Sequence, residues 1–323
     1  MIDLRAWRIA IQLSYVLAAL VSGGPAWGAF PEKTVRVIVP SPPGGGNDVM
    51  ARLAGQKLAE AWGRQVVVDN RPGAGGAIAF EMVARAEPNG YTLVLGSTNL
   101  TVLPDIQKVN YHPIKDFVPV SLMAKSMNIL LVHPSVPAKS AKELIALAKQ
   151  RPGKLNYSTT IATSVHLAAE LFKAKAAVNI VMVPYKGMGP ALVDLIAGQV
   201  DVSFANPAAS QEFVRSGRMR ALAVTGEKRS ALLPDVPTIA EAAIPGFEAS
   251  TWWGILAPAG TPAAIVAEVN GKLAAALTQR DIMDRIAALG ADLVGGSPER
   301  LAAHLNAEIV KWREVIRAAD IKL

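Results

Sequence analysis

From Thr34 onward the chain alternates short β-branched runs with stretches of helical periodicity. That alternation restricts it to an α/β fold in which helices cover the faces of largely parallel sheets. A strand at 35–39 is followed by a helix at 49–62, a strand at 65–69, a helix at 77–86 and a strand at 91–95. A second cycle opens near 128–132. It continues through a helix at 140–150, where Ser140 and Glu143 stand at capping-box spacing. After 155–157 come a helix at 165–173, a strand at 180–183, a helix at 191–197 and strands at 200–204 and 221–224. Beyond Pro262 the pattern is helical, at 263–277, 280–289 and 298–318. Two similar cycles imply two lobes, which 323 residues accommodate. No fixed period recurs, which excludes a solenoid.

The N-terminus limits where such a chain works. Arg5 and Arg8 precede an apolar run from Ile9 to Val21, then Ser22, Gly23, Gly24 and Pro25. This order is that of a secretory signal peptide over 1–28, with Ala26 and Gly28 placing cleavage before Ala29. The run is shorter than the ~20 apolar residues a spanning helix needs, so a soluble periplasmic protein is expected. The net charge of +7 is scattered rather than blocked, which argues against nucleic acid. Cysteine is absent, excluding disulfides and thiolate chemistry. The four histidines, His112, His133, His166 and His304, have no ligand spacing, so neither a metal nor a cofactor is expected.

Three turns share one design in which a strand ends, small residues follow and a helix begins. They are Pro42-Pro43-Gly44-Gly45-Gly46-Asn47-Asp48, Asn70-Arg71-Pro72-Gly73-Ala74-Gly75-Gly76 and Tyr185-Lys186-Gly187-Met188-Gly189-Pro190. Unsatisfied N–H groups at a helix start, with the helix dipole behind them, make an anion site. Asp48 reads as the N-cap of the first helix. The first turn lacks the Gly-Lys-Ser/Thr ending of a phosphate loop, and 73–78 supplies only part of a dinucleotide fingerprint. Nucleotide binding is therefore set aside. Trp252 and Trp253 adjoin at a proposed crossing, and strand alternation aims one of them, taken as Trp252, at the cleft, with core packing the alternative for both. No Gly-x-Ser-x-Gly elbow occurs. A secreted α/β hydrolase using Ser164 and His166 is the enzymatic alternative, resting only on their proximity.

The stretches VIVPSPPGGGNDVMARL, VVVDNRPGAGGAIA, AEPNGYTLVLGS, VNYHPIKDFVPVS, HLAAELF, VPYKGMGPALVDLIAGQVDVSF, RALAVTGEKRSALLPDVPTIAEA and WWGILAPAGTP occur in this order. They resemble the Bug, or tripartite tricarboxylate transporter, extracytoplasmic receptor family. The resemblance implies a periplasmic-binding-protein (Venus flytrap) fold, two α/β lobes joined by two crossing strands. Residues 29–126 with 250–323 are expected to form lobe I and 127–249 lobe II, with crossings near 124–127 and 249–253. It also implies a receptor, not an enzyme, that captures a mono-, di- or tricarboxylate or an aromatic acid for membrane permease subunits; docking on a membrane sensor is the alternative.

Carried onto this sequence, the family's contacts fall on Ser41, Pro42, Gly44, Gly45, Gly46, Asn47 and Asp48 of the first turn, and on Ser97 and Thr98 after the third strand. In the second lobe they fall on Thr160, Thr163 and Ser164, with Tyr185, Gly187 and Asn206 also expected at the cleft. Two departures matter. The loop 158–164 has no glycine, which limits backbone approach there. Phe204-Ala205-Asn206 lacks an acidic residue that relatives commonly carry, which disfavours an amino-acid ligand.

Overall fold

The computed structural model describes residues 30–161 and 163–321; the expected signal over 1–28 and its cleavage site lie outside the described residues. Its strands are β1 (Val35–Val39), β2 (Val66–Asn70), β3 (Thr92–Gly96), β4 (Phe117–Met127), β5 (Ile129–Val132) and β6 (Asn156–Thr159). They continue with β7 (Val181–Pro184), β8 (Val202–Ala205), β9 (Arg220–Val224), β10 (Ser250–Pro258) and β11 (Ala291–Leu293). They form a six-stranded sheet in the order β11-β4-β10-β3-β1-β2 and a five-stranded sheet in the order β7-β6-β8-β5-β9.

The sheets are mixed rather than largely parallel. β1 runs parallel to β2 and β3, and β6 parallel to β7 and β8. β10 is antiparallel to β3 and β4, β11 to β4, and β5 to β8 and β9. The reason is topological. β4 carries the chain out of the first sheet and β10 brings it back, so these two must run in opposite directions.

The inner strands of each sheet are buried on both faces, as βα units require. In the first, Val35, Val37 and Val39 share one core with Met50, Leu53 and Leu58 of helix Gly46–Trp62 and Val269 and Leu273 of helix Ala263–Leu277. Ile38, Val94 and Leu256 face the other core, under Phe80 of helix Ala77–Ala84 and Leu301 and Leu305 of helix Pro298–Ala318. Each fully buried aliphatic side chain contributes roughly 1.5–3 kcal/mol.

Helix Thr98–Ile106 went unread in the sequence because Pro104 sits inside it. A proline there cannot donate to the carbonyl of Leu100. The Tyr111 hydroxyl donates to that carbonyl instead, at 3.2 Å, and the helix survives.

The crossings lie slightly inward of their expected places. β4 passes into β5 through Asn128, and the return enters β10 after Ala249, where Ser250 pairs with Met127. Thr225, fully buried, lashes the two together. Its Oγ1 accepts the Asn128 N–H at 2.8 Å and donates to the Ala249 carbonyl at 2.5 Å. Its own N–H and carbonyl bond Asn128 and Ala249 at 2.8 and 2.9 Å.

Helix Pro298–Ala318 adds a third link. Leu301 and Leu305 lie in a first-sheet core, whereas Trp312, Val315 and Ile316 join the second-sheet core around Phe172 and Phe204. Its C-terminal half thus packs with the second lobe, although the expected boundaries group 250–323 with the first.

Candidate functional site

The carboxyl ends of β1, β3 and β6 are the edge where open α/β sheets bind ligands. After β1, the first helix begins at Gly46, earlier than its apolar periodicity suggests. Gly45 is therefore the N-cap and Asp48 the third helical residue, correcting the expectation that Asp48 caps.

The Asp48 carboxylate, 4% exposed, is committed within the turn. One oxygen accepts the Gly44 N–H and the Arg52 Nε–H, both at 2.9 Å, and the other accepts from Asn70 Nδ2 at 3.0 Å. Asn70 Nδ2 also donates to the Ser41 carbonyl at 3.0 Å. The Arg52 hydrogen bond, aided by Gly44 and Asn70, holds the carboxyl below its ordinary range against the opposing effect of burial.

Asn47 is held too, its Oδ1 accepting from Trp253 Nε1 at 2.8 Å. A Cβ at Gly46 would stand 3.1 Å from the same indole, while one at Gly44 or Gly45 would meet nothing within 4 Å. Gly44 also needs its glycine for conformation, at φ +90°. The turn is thus braced from beneath by Asp48, Asn70 and Trp253, and its upper side is bare backbone. The N–H groups of the first helical turn have no intrahelical acceptor and are free to receive an anion.

After β3, Ser97 is the N-cap of helix Thr98–Ile106, yet its hydroxyl makes no capping bond. Only 3% exposed, Ser97 leaves its Oγ bonded to no protein group, as does Ser41. Thr98 Oγ1 lies 3.4 Å from Thr251 Oγ1.

In the second lobe, Ser158 and Thr159 are fully buried, and with Thr160 they present three further hydroxyls that bond to no protein group. A buried hydroxyl left unpaired costs roughly 1–3 kcal/mol, and folded proteins carry few of them. Of nine such side-chain atoms among the described residues, five belong to Ser41, Ser97, Ser158, Thr159 and Thr160, at three strand ends. That concentration singles out these three strand ends as the candidate site.

Other expected residues serve the scaffold. Thr163 donates to the Thr160 carbonyl at 2.6 Å, shaping the loop before helix Ser164–Ala176. The Tyr185 hydroxyl donates to Asp194 at 2.6 Å, and burial followed by that carboxylate pushes its pKa up to about 12. Gly187 is the N-cap of helix Met188–Ile196 and has open space at its Cβ position. Asn206 caps helix Pro207–Arg215 through the Ala208 N–H at 2.9 Å and gives Nδ2 to Ser126 at 3.0 Å, tying the second lobe to β4. Ser164 is half-buried at its helix start. His166 is 4% exposed, its pKa lowered by burial, which takes it away from the solvent-facing loop.

Trp252 does not reach the cleft. It is fully buried against Leu301 and Leu305, and Trp253 is the one beneath the glycine turn. Ser158, Thr159 and Trp253 were not anticipated as site residues; the one signal for the first two was a run of hydroxyls at a strand end. Among the described residues no group of His, Asp and Glu is placed to hold a metal ion.

Residues 50–321 match the family model described as the tripartite tricarboxylate transporter family receptor. Protein BugT of Bordetella pertussis is 36% identical over 322 residues, covering 98% of each chain. Among solved structures, R. palustris Rpa4515 with adipate is 38% identical, with a TM-score of 0.79, covering 91% of this chain and 99% of that one. MatC from Rhodopseudomonas palustris with bound malate is 34% identical, with a TM-score of 0.76, covering 89% and 100%.

Proposed function

The chain belongs to the tripartite tricarboxylate transporter receptor family, and from that premise we propose that its two lobes close on a small organic carboxylate and deliver it to a membrane permease. It is a solute-binding receptor, as its family and the similar solved structures are. The carrying observation is the set of unbonded hydroxyls at Ser41, Ser97, Ser158, Thr159 and Thr160, beside a glycine turn with bare N–H groups. These groups neutralise a carboxylate by hydrogen bonds and a helix dipole rather than by a charged side chain. Asp48, the acidic residue of the first turn, is already bonded to Arg52, Asn70 and Gly44, so it is not available to an ammonium group.

A ligand touching both strand-end clusters contacts both lobes, and such two-sided contact is what favours the closed form. Thr225 and the residues around it form the hinge, with residues 29–126 and most of 250–323 on one side and 127–249 on the other. Family receptors are periplasmic. Export of this chain rests on residues 1–28, removed near Gly28. No helix among the described residues is long and apolar enough to cross a membrane.

Adipate and malate, seen in the two solved relatives, are the first ligands to try. Calorimetric titration of the protein against mono-, di- and tricarboxylates and aromatic acids is expected to give one-site binding for at least one of them. Silence across the panel, or binding only of uncharged or cationic solutes, would sink the proposal.

A further inference from the structure

Positive charge forms no block along the sequence, yet the fold gathers it. Residues 139–186 hold eight Lys and Arg against Glu143 and Glu170, a net +6 of the chain's +7, so all other residues together carry +1. This segment contains helix Ala141–Gln150, β6, helix Ser164–Ala176 and β7, the edge strand of the second sheet.

Four of these cations stand at one end of the lobe. Both helices finish beside the starts of β6 and β7, and the loops that follow them touch. The Gly153 N–H donates to the Asn179 carbonyl at 3.0 Å, and the Val181 N–H to the Leu155 carbonyl at 2.9 Å. Lys149 and Lys175 lie in the last turns of the two helices, and Arg151 and Lys154 follow the first. All four are exposed, and none meets a carboxylate among the described residues.

The charges around them do not cancel this group. Glu170 is taken by Lys173 at 2.7 Å. Asp201, level with Asn156, accepts the Asn156 N–H at 2.8 Å and adds one negative charge. Arg220, at the same end by register, adds a fifth cation and donates to the carbonyls of Pro134, Val136 and Ala138. The two helix C-termini contribute roughly −0.5 each, so about three positive charges remain. Beside them β7 leaves Val181 and Met182 exposed, pointing to opposite faces of the sheet edge.

We propose that this end of the second lobe docks on an anionic phospholipid bilayer, with Lys149, Arg151, Lys154 and Lys175 against the headgroups and Val181 and Met182 at the interface. Lysines on long stems around two small apolar side chains suit a diffuse anionic surface. A specific protein interface is depleted of lysine and buries a larger apolar centre. β6 and β7 start at this end and run away from it toward the proposed cleft, so docking leaves the cleft open to solute.

The test is cosedimentation of the exported protein, without solute, with vesicles of phosphatidylcholine alone or mixed equally with phosphatidylglycerol. Binding is expected only to the mixed vesicles and is expected to fade as salt rises. Each cation near such a surface is worth about a fivefold change in partition, so Lys154→Gln/Lys175→Gln should weaken binding about twentyfold. Arg64→Gln/Lys115→Gln removes two exposed cations of the first lobe that form no ion pair among the described residues. It lowers the net charge equally and should change binding by less than about threefold. Equal binding to both kinds of vesicle, or equal losses in the two double variants, overturns the proposal. Retention on immobilised polyglutamate as strong as on the mixed vesicles also overturns it, in favour of an acidic protein partner. Melting temperature and carboxylate affinity should be unaltered in both variants, so failure of docking leaves capture in the cleft untouched.

Discussion

The two lobes end the strands of the proposed cleft with different materials. In the first, the turn after β1 is glycine backbone held from beneath by Asp48, Asn70 and Trp253. In the second, the turn after β6 has no glycine, and Ser158, Thr159 and Thr160 present side-chain hydroxyls that nothing in the protein engages. One lobe carries its donors on a rigid frame already bonded in the free protein. The other holds unpaired hydroxyls, which on the proposed reading are met by the solute. Preorganisation on one side lowers the ordering cost of binding, while the hydroxyls, able to donate or accept, adapt to the remainder of the solute.

The contrast breaks most visibly at Asp48. Asp48→Ala leaves Gly44, Arg52 and Asn70 without their shared acceptor and is expected to cost about 3 kcal/mol of stability. Carboxylate affinity should fall with it, both read by thermal melting and calorimetry. A variant as stable as the parent would mean that the turn is not braced in this way.

Ser158→Ala should behave in the opposite sense. Removing a buried, unpaired hydroxyl is expected to raise stability by about 1 kcal/mol, while carboxylate binding weakens about tenfold. Loss of both together would assign Ser158 a structural role.

Tyr185→Phe tests the scaffold of the second lobe. It deletes the bond to Asp194 and is expected to cost about 1 kcal/mol of stability with carboxylate affinity unaltered. A loss of affinity without a loss of stability would return Tyr185 to the cleft.

The smallest effect is that of pH. Asp48 titrates below its ordinary 3.8 in the folded protein, so its unfolded form takes up protons first as pH falls. Its stabilisation is present in full well above 3.8 and is lost as pH drops through the folded value. The stability gap between the parent and Asp48→Ala should therefore hold constant from pH 7 to 5 and narrow below 4. The corresponding gap for Ser158→Ala should not change with pH, since no titrating group is removed.

Sequence patterning told more about the first lobe than the second, and the physics explains why. Glycines after a β-branched run constrain backbone directly, so the turn at 42–48 was legible as a strand-to-helix turn. What lay beneath it was not, because the bonds of Asp48 to Asn70 and of Asn47 to Trp253 join residues distant along the chain. Alternation stated that Trp252 and Trp253 point to opposite faces without stating what covers each face, and both came out buried in the core. Whether the hydroxyls of Ser158 and Thr159 are paired depends on neighbouring strands, which local pattern does not encode. The mixed sheets escaped notice for a related reason. Strand direction is set by where the chain crosses between lobes, and the two crossings meet at Thr225, a residue with no distinguishing local signal.

The central claim is that one carboxylate is held between bare backbone in the first lobe and unpaired hydroxyls in the second. A crystal structure of the protein with the tightest-binding carboxylate tests it most directly. The account predicts ligand oxygens within hydrogen-bond distance of the N–H groups around Gly45 and Gly46 or of Ser97 Oγ, and further ligand contacts to the hydroxyls of Ser158, Thr159 or Thr160. A ligand seated on one lobe alone, or one whose carboxylate meets none of these groups, would contradict it.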